Sequence, residues 1–104
     1  MPGVFTATEA LASLGGGASA LKFFPASILG PTGIAAIRAV LPPTTVAAAV
    51  GGVSDRSFGA YANVGVKVFG LGTSLYRPGD TPADVRVRAR AALAAYDAAA
   101  ALAG

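Results

Sequence analysis

Val46-Ala47-Ala48-Ala49-Val50-Gly51-Gly52 is the stretch that decides the fold. Five apolar residues follow one another without polar alternation, and two glycines end the run. A strand with one wet face alternates polar and apolar residues, whereas a parallel strand covered on both faces reads as an unbroken apolar run. The run therefore predicts a short parallel strand closed by a tight turn.

Outward from it, strand-then-helix punctuation recurs about every 20–25 residues. Toward the N-terminus, Ala20-Leu21-Lys22-Phe23-Phe24 reads as a strand stopped by Pro25. Gly30-Pro31-Thr32-Gly33 leads into a helix with Ile34, Ile37, Val40 and Leu41 at helical spacing, which Pro42-Pro43 breaks. Val4-Phe5 is a shorter apolar run before Thr6-Ala7-Thr8-Glu9, a capping box that opens a helix carrying Ala10, Leu11 and Leu14. Gly15-Gly16-Gly17 ends that helix. Toward the C-terminus, Ser54 is expected to cap a helix with Phe58, Tyr61 and Val64, closed by Gly65, and Val66–Leu71 forms a fourth strand. Thr81-Pro82-Ala83-Asp84 starts a last helix with Val85, Ala89, Ala92, Leu93 and Tyr96 on one face. Four consecutive βα units give an α/β fold with a parallel sheet and right-handed crossovers. Such units suit either an open doubly wound sheet or half of a (β/α)8 TIM barrel. A full barrel needs about 250 residues, and this chain has 104.

Composition narrows the chemistry. A chain that is 54% hydrophobic and 12% charged is neither disordered nor a charge-rich coiled coil. Its length predicts a single domain over residues 1–104. It has no cysteine and no histidine, which excludes a disulfide frame, a thiolate nucleophile, the usual zinc sites and a Ser-His-Asp triad. The net charge is +3, and Arg86, Arg88 and Arg90 alone are too thin a patch to read nucleic acid. The longest uncharged stretch, Ala39–Ser54, has 16 residues and holds two prolines and two adjacent glycines, so no membrane helix is expected. Met1-Pro2-Gly3-Val4 lacks the basic and apolar regions of a signal peptide, which makes a cytoplasmic protein the default. The acids are Glu9, Asp55, Asp80, Asp84 and Asp97.

In either architecture function sits at the C-terminal ends of the strands. Three features fall there. Lys22 lies inside an apolar strand, where burial of an amine favours its neutral, nucleophilic form, the form that makes Schiff bases. The competing assignment is a lysine whose stem lies on the barrel exterior with its head in water; Lys67, at the start of a strand, is expected to be such a solvated residue. Val50-Gly51-Gly52-Val53 lets a ligand approach backbone N–H groups, although an ordinary turn has the same residues. Gly70-Leu71-Gly72-Thr73-Ser74-Leu75-Tyr76 combines glycines and hydroxyls as an anion cradle would.

Taken in order, Pro2-Gly3-Val4, Thr6-Ala7-Thr8-Glu9, Ala20–Ala26, Leu41-Pro42, Val50-Gly51-Gly52-Val53 and Gly70-Leu71-Gly72-Thr73 resemble the C-terminal half of bacterial 2-keto-3-deoxy-6-phosphogalactonate aldolases, and those of the sister phosphogluconate branch. The resemblance covers the whole chain. It implies a class I aldolase that needs no metal or other cofactor, built on a TIM barrel of which this chain supplies strands five to eight with outer helices. The family is usually homotrimeric and cleaves a phosphorylated sugar acid to pyruvate and D-glyceraldehyde 3-phosphate. By the same resemblance Lys22 is the Schiff-base lysine, and Gly51, Gly52, Gly72 and Thr73 fall on phosphate-binding turns. Val50 stands where the gluconate branch tends to carry threonine, which favours the galactonate epimer as substrate. Tyr76-Arg77-Pro78-Gly79 is similar to that branch too. The family's first four βα units, with the glutamate that shuttles protons, have no counterpart here, and Glu9 belongs to a capping box. The implied partners are the sugar-acid substrate and either further copies of this chain or a complementing N-terminal half-barrel. A non-catalytic phosphate-binding or assembly half-barrel, or an inert fragment, remain the rival functions.

Overall fold

In the computed structural model, which describes residues 1–103, four short strands lie side by side in chain order. They are β1 (Gly3–Val4), β2 (Ala20–Phe23), β3 (Val46–Val50) and β4 (Val68–Gly70), and each neighbouring pair is parallel. The connections carry helices α1 (Ala7–Gly15), α2 (Ala26–Arg38) and α3 (Phe58–Asn63); α4 (Pro82–Ala103) follows the last strand. The arrangement is the α/β fold with a four-stranded parallel sheet that the sequence predicts.

The pleat sorts the side chains, because successive residues of a strand face opposite sides. Val4, Leu21, Phe23, Ala47 and Ala49 are buried and form one core with Ala10, Ala26, Ile34, Phe58 and Tyr61 from the helical segments. The helices therefore cover one face of the sheet. The opposite face carries Phe5, Phe24, Val46 and Val68, which are 39%, 50%, 43% and 40% exposed. This corrects in part the expectation that the β3 run is covered on both sides: on the face away from the helices Ala48 is buried, yet Val46 is exposed.

Local signals explain the helix ends. In α1 the Glu9 N–H donates to Thr6 Oγ1 at 3.1 Å, while Glu9 Oε1 accepts from the N–H groups of Phe5 at 3.0 Å and Thr6 at 3.2 Å. In α4 Asp84 and Thr81 make the same reciprocal pair at 2.9 and 3.2 Å. Such caps are worth about 1 kcal/mol each. Aromatic packing joins the C-terminal units: Phe58 of α3 lies 4.5 Å from Phe69 of β4, and Tyr96 of α4 meets both rings edge-on. The Tyr61 hydroxyl donates to the Ala26 carbonyl at 3.0 Å, tying α3 to the start of α2, and burial raises its pKa.

Four details differ from the sequence-based expectation. Helix α2 begins at Ala26, before Gly30, and Gly30 (φ +68°) and Pro31 divide it into two segments. Proline has no N–H to continue the ladder, so Pro31 opens a second segment rather than the whole helix. Ser54 opens a turn, in which its carbonyl accepts from the Ser57 hydroxyl at 3.1 Å, and α3 starts only at Phe58. The ladder of β4 is limited to Val68–Gly70, inside the expected Val66–Leu71. On α4 the inward residues include Ala92, Ala95 and Ala99, while Leu93 is 64% exposed. Small alanines let α4 lie close to its neighbours, and this outweighs the larger apolar side chain.

Candidate functional site

Register places Lys22 in a row across the open face. Gly3 of β1 pairs with Lys22, Lys22 with Ala48 of β3, and Ala48 with Val68 of β4. The neighbours on either side are glycine and alanine, which leave space beside the amine. A Cβ on Gly3 would lie 3.4 Å from Lys22 Cε, so the lysine stem lies over that position. Lys22 is half-buried, and its face is opposite to the helix-covered face of Leu21 and Phe23. Exterior placement of the stem among the helices is therefore not what the structure shows. Arg88–Asp80 is the ion pair present among the described residues, so no carboxylate pairs with the Lys22 ammonium. Lys67 is exposed just before β4, as expected.

One step further along the strands is a cavity of about 600 Å³. Val50, Gly51, Gly52, Gly72 and Thr73 all line it, together with Phe24, Ser74 and Arg77. The structure thus brings the two glycine turns into one concavity. Lys22 does not line it, but Phe24 does, and Phe24 follows Lys22 by two residues on the same face of the chain. Two residues of extended strand span about 6–7 Å.

The two turns use glycine for different reasons. Gly51 has φ +98° and a Cβ there would sit 3.1 Å from the Phe24 ring and Pro25 Cα; Gly52 has φ +69° and would meet Ser27 at 2.6 Å. The fold itself requires glycine at both. At Gly72 the backbone is not left-handed and a Cβ would meet nothing within 4 Å. Among the described residues the N–H groups of Gly52, Gly72 and Thr73 have no protein acceptor, so they are available to an anion. Of the two hydroxyls in the second turn, Ser74 Oγ is committed to the Val53 carbonyl at 2.9 Å, where it links the turns. Thr73 remains exposed. Gly72→Val is expected to leave thermal stability nearly unchanged and to weaken binding of inorganic phosphate at the turns, read by amide shifts; unchanged binding would remove this turn from an anion site.

No sequence signal marked Arg77 or Asp80 for a role at the site, although Arg77 stands in the family-like Tyr76-Arg77-Pro78-Gly79 stretch. Asp80 Oδ2 accepts from the Arg77 N–H at 2.7 Å and pairs with Arg88 of α4. The Arg88 hydrogen bond first, and the Arg77 N–H second, hold the Asp80 carboxyl below the usual carboxylate range. A depressed folded-state pKa stabilises the protein above the unfolded pKa, about 3.9 for aspartate, and the contribution is lost as pH falls through the folded value. Stability of the loop before α4, read by amide exchange, is expected to be flat from neutrality to about pH 4 and to decline below it. Asp80→Asn should remove that part of the acid limb. An unchanged limb would show that the pair adds nothing.

A second cavity, of about 310 Å³, lies between α3, β4 and α4, lined largely by apolar residues such as Val66, Phe69 and Ala99. The Tyr96 hydroxyl at its edge is committed to the Lys67 carbonyl at 2.8 Å. Lys67 also lines this cavity, as an exposed residue.

No family model matches the chain. A probable 2-dehydro-3-deoxy-6-phosphogalactonate aldolase of Rhizobium meliloti (strain 1021) is 66% identical over 98 residues, which is 94% of this chain and 46% of that protein. The 2-dehydro-3-deoxy-6-phosphogalactonate aldolase of Escherichia coli (strain K12) is 43% identical over 95 residues, again 46% of its length. Among solved structures, native KDPGal superposes with a TM-score of 0.89 at 43% identity, covering 94% of this chain and 48% of that one. A 4-hydroxy-2-oxoglutarate/2-dehydro-3-deoxyphosphogluconate aldolase superposes with a TM-score of 0.76 at 32% identity, covering 90% of this chain and 46% of that one. The chain spans about half the length of the curated relatives it matches. By these similarities over nearly its whole length, the chain belongs to the 2-dehydro-3-deoxy-6-phosphogalactonate aldolase family, of which it represents the C-terminal half.

Proposed function

We propose that the chain is the Schiff-base half of a class I aldolase acting on 2-dehydro-3-deoxy-6-phosphogalactonate, a half (β/α)8 barrel that turns over efficiently only with a complementary half. The single observation that supports this most is the placement of an unpaired lysine, flanked by glycine and alanine, on the open sheet face next to the glycine-lined cavity.

The Lys22 amine would attack the C2 ketone of the substrate and expel water to form an iminium. The iminium is an electron sink, so the C3–C4 bond breaks as the C4 hydroxyl loses its proton. Glyceraldehyde 3-phosphate leaves, and the bond's electron pair stays as an enamine. Protonation at C3 and hydrolysis release pyruvate and restore the amine. The glycine turns would hold the phosphate end. The proton steps need a positioned acid or base, and among the described residues no acid lines the cavity, Asp55 and Asp97 included. Glu9 is locked in the α1 cap, Asp84 in the α4 cap, and Asp80 in its pair with Arg88. Covering the open face with another half-barrel would both exclude water and supply that group. The complex would be a cytoplasmic assembly, either with a complementing half or as a homo-oligomer of the family's trimeric kind.

Pyruvate and borohydride test the lysine. Mass spectrometry should find a reduced pyruvyl adduct on Lys22; an unmodified chain would leave the non-catalytic phosphate-binding reading. Substrate choice should follow Val50, which faces the cavity beside Gly70, where a Cβ would lie 2.8 Å from Val50 Cγ2. Val50→Thr is close to isosteric and adds a hydroxyl that can bond to a substrate hydroxyl. The kcat/KM ratio is expected to move toward the gluconate epimer by about 1 kcal/mol, the net worth of one hydrogen bond. An unchanged ratio would remove Val50 from substrate discrimination.

A further inference from the structure

We infer that Arg77 is the cation that holds the substrate's phosphate, acting with the two glycine turns; this rests on the proposed phosphate site and adds the charge which that site otherwise lacks. The cavity's lining residues are glycines, apolar side chains and hydroxyls, and Arg77 is the charged residue among them. Backbone N–H groups alone are weak partners for a phosphate dianion in an open, water-filled cavity. A guanidinium presents a planar fork of donors that matches phosphate oxygens.

Three observations show that Arg77 is set up for this role. Its Nε donates to the Thr73 carbonyl at 3.0 Å, which fixes the guanidinium to the turn whose Gly72 and Thr73 N–H groups are free. With Nε used, its two terminal nitrogens have no protein acceptor among the described residues. The neighbouring carboxylate does not neutralise it: Asp80 is engaged by Arg88 and, through its second contact, by the backbone N–H of Arg77 rather than by the guanidinium. Arg88 thus takes up the local negative charge and leaves the Arg77 charge for a ligand. The other exposed arginines do not line the cavity: Arg56 lies in the turn before α3, and Arg86 and Arg90 lie on α4.

Inorganic phosphate and glycerol 3-phosphate, titrated into the 15N-labelled chain and followed by amide shifts, test the assignment. Saturable shifts are expected at Gly52, Gly72 and Thr73. Arg77→Gln keeps a donor within reach of the Thr73 carbonyl but removes the charge, and should weaken binding about tenfold. Arg77→Lys keeps the charge without the fork and should fall between the two. Shifts at Gly52, Gly72 and Thr73 with the same affinity in Arg77→Gln would uphold the phosphate site and overturn the role of Arg77. No shifts at those amides, or shifts confined to the Arg86–Arg90 surface, would overturn the phosphate site and the role of Arg77 together. Unperturbed amide spectra away from the loop confirm that each variant is folded, so loss of binding reads as loss of a contact.

Discussion

Lys22→Arg is expected to abolish both borohydride trapping with pyruvate and any turnover restored by a complementary half-barrel, the largest functional effect of any single substitution in this chain. A guanidinium stays protonated at neutral pH and forms no imine, while the longer side chain keeps a positive charge and an apolar stem over Gly3. The open face accepts the added length, so folding should be retained. Lys67→Arg is the control, because Lys67 lies exposed before β4 and off that row; its adduct yield should equal that of the unsubstituted chain. An adduct that persists in Lys22→Arg, or that maps to Lys67, would overturn the assignment. Without a partner, retro-aldol turnover should stay feeble. A positioned general acid or base contributes about 10²–10⁴-fold, and the Glu9 carboxylate, the acid nearest to β1 in sequence, is held by three donors of its own cap. Efficient turnover by the chain alone would mean that another group moves the proton.

Much of this was legible in the sequence because short-range rules govern it. The Thr6–Glu9 box, the Thr81–Asp84 start and the strand of Val46–Val50 all rest on signals within a few residues of themselves and form where expected, whereas full cover on both faces of that strand, a long-range property, does not. The pairing of turns was legible only through order along the strands: the two glycine turns end adjacent parallel strands, so register brings Val50 beside Gly70. Two kinds of fact were hidden. Ser54 Oγ accepts from the Arg56 N–H as a cap does, but the residues it caps form a turn closed by Ser57 on the Ser54 carbonyl, so α3 starts later, at Phe58. The charge balance at Arg77 depends on Arg88 reaching Asp80 from the next helix, and eight residues separate that pair in the chain. The α4 face was misjudged at Leu93 for a related reason: helix-to-helix distance, set by Ala92, Ala95 and Ala99, decides which stripe is buried.

The second large effect concerns association. Strands β1 and β4 are the edges of the sheet, and each presents backbone N–H and C=O groups without a neighbouring strand. Between those edges Phe5, Phe24, Val46 and Val68 stand exposed on one face. Open edges beside a contiguous apolar face drive strand pairing and burial against another chain, and a net charge of +3 is too small to prevent it. The isolated chain is therefore expected to run above its 10.1 kDa mass in size-exclusion chromatography with light scattering at micromolar concentration. Val68→Lys, which puts a charge on the face at an edge strand, should shift the population toward monomer. A separately expressed N-terminal half of a related aldolase should compete with self-association and produce one defined complex, because it would cover the same face and pair with the same two edges. In that complex the Lys22 adduct should form faster than in the chain alone, since the amine loses its exposure to water. A monodisperse monomer whose open face neither binds that half nor responds to Val68→Lys would show that the sheet is complete as four strands, and the half-barrel would have to be given up.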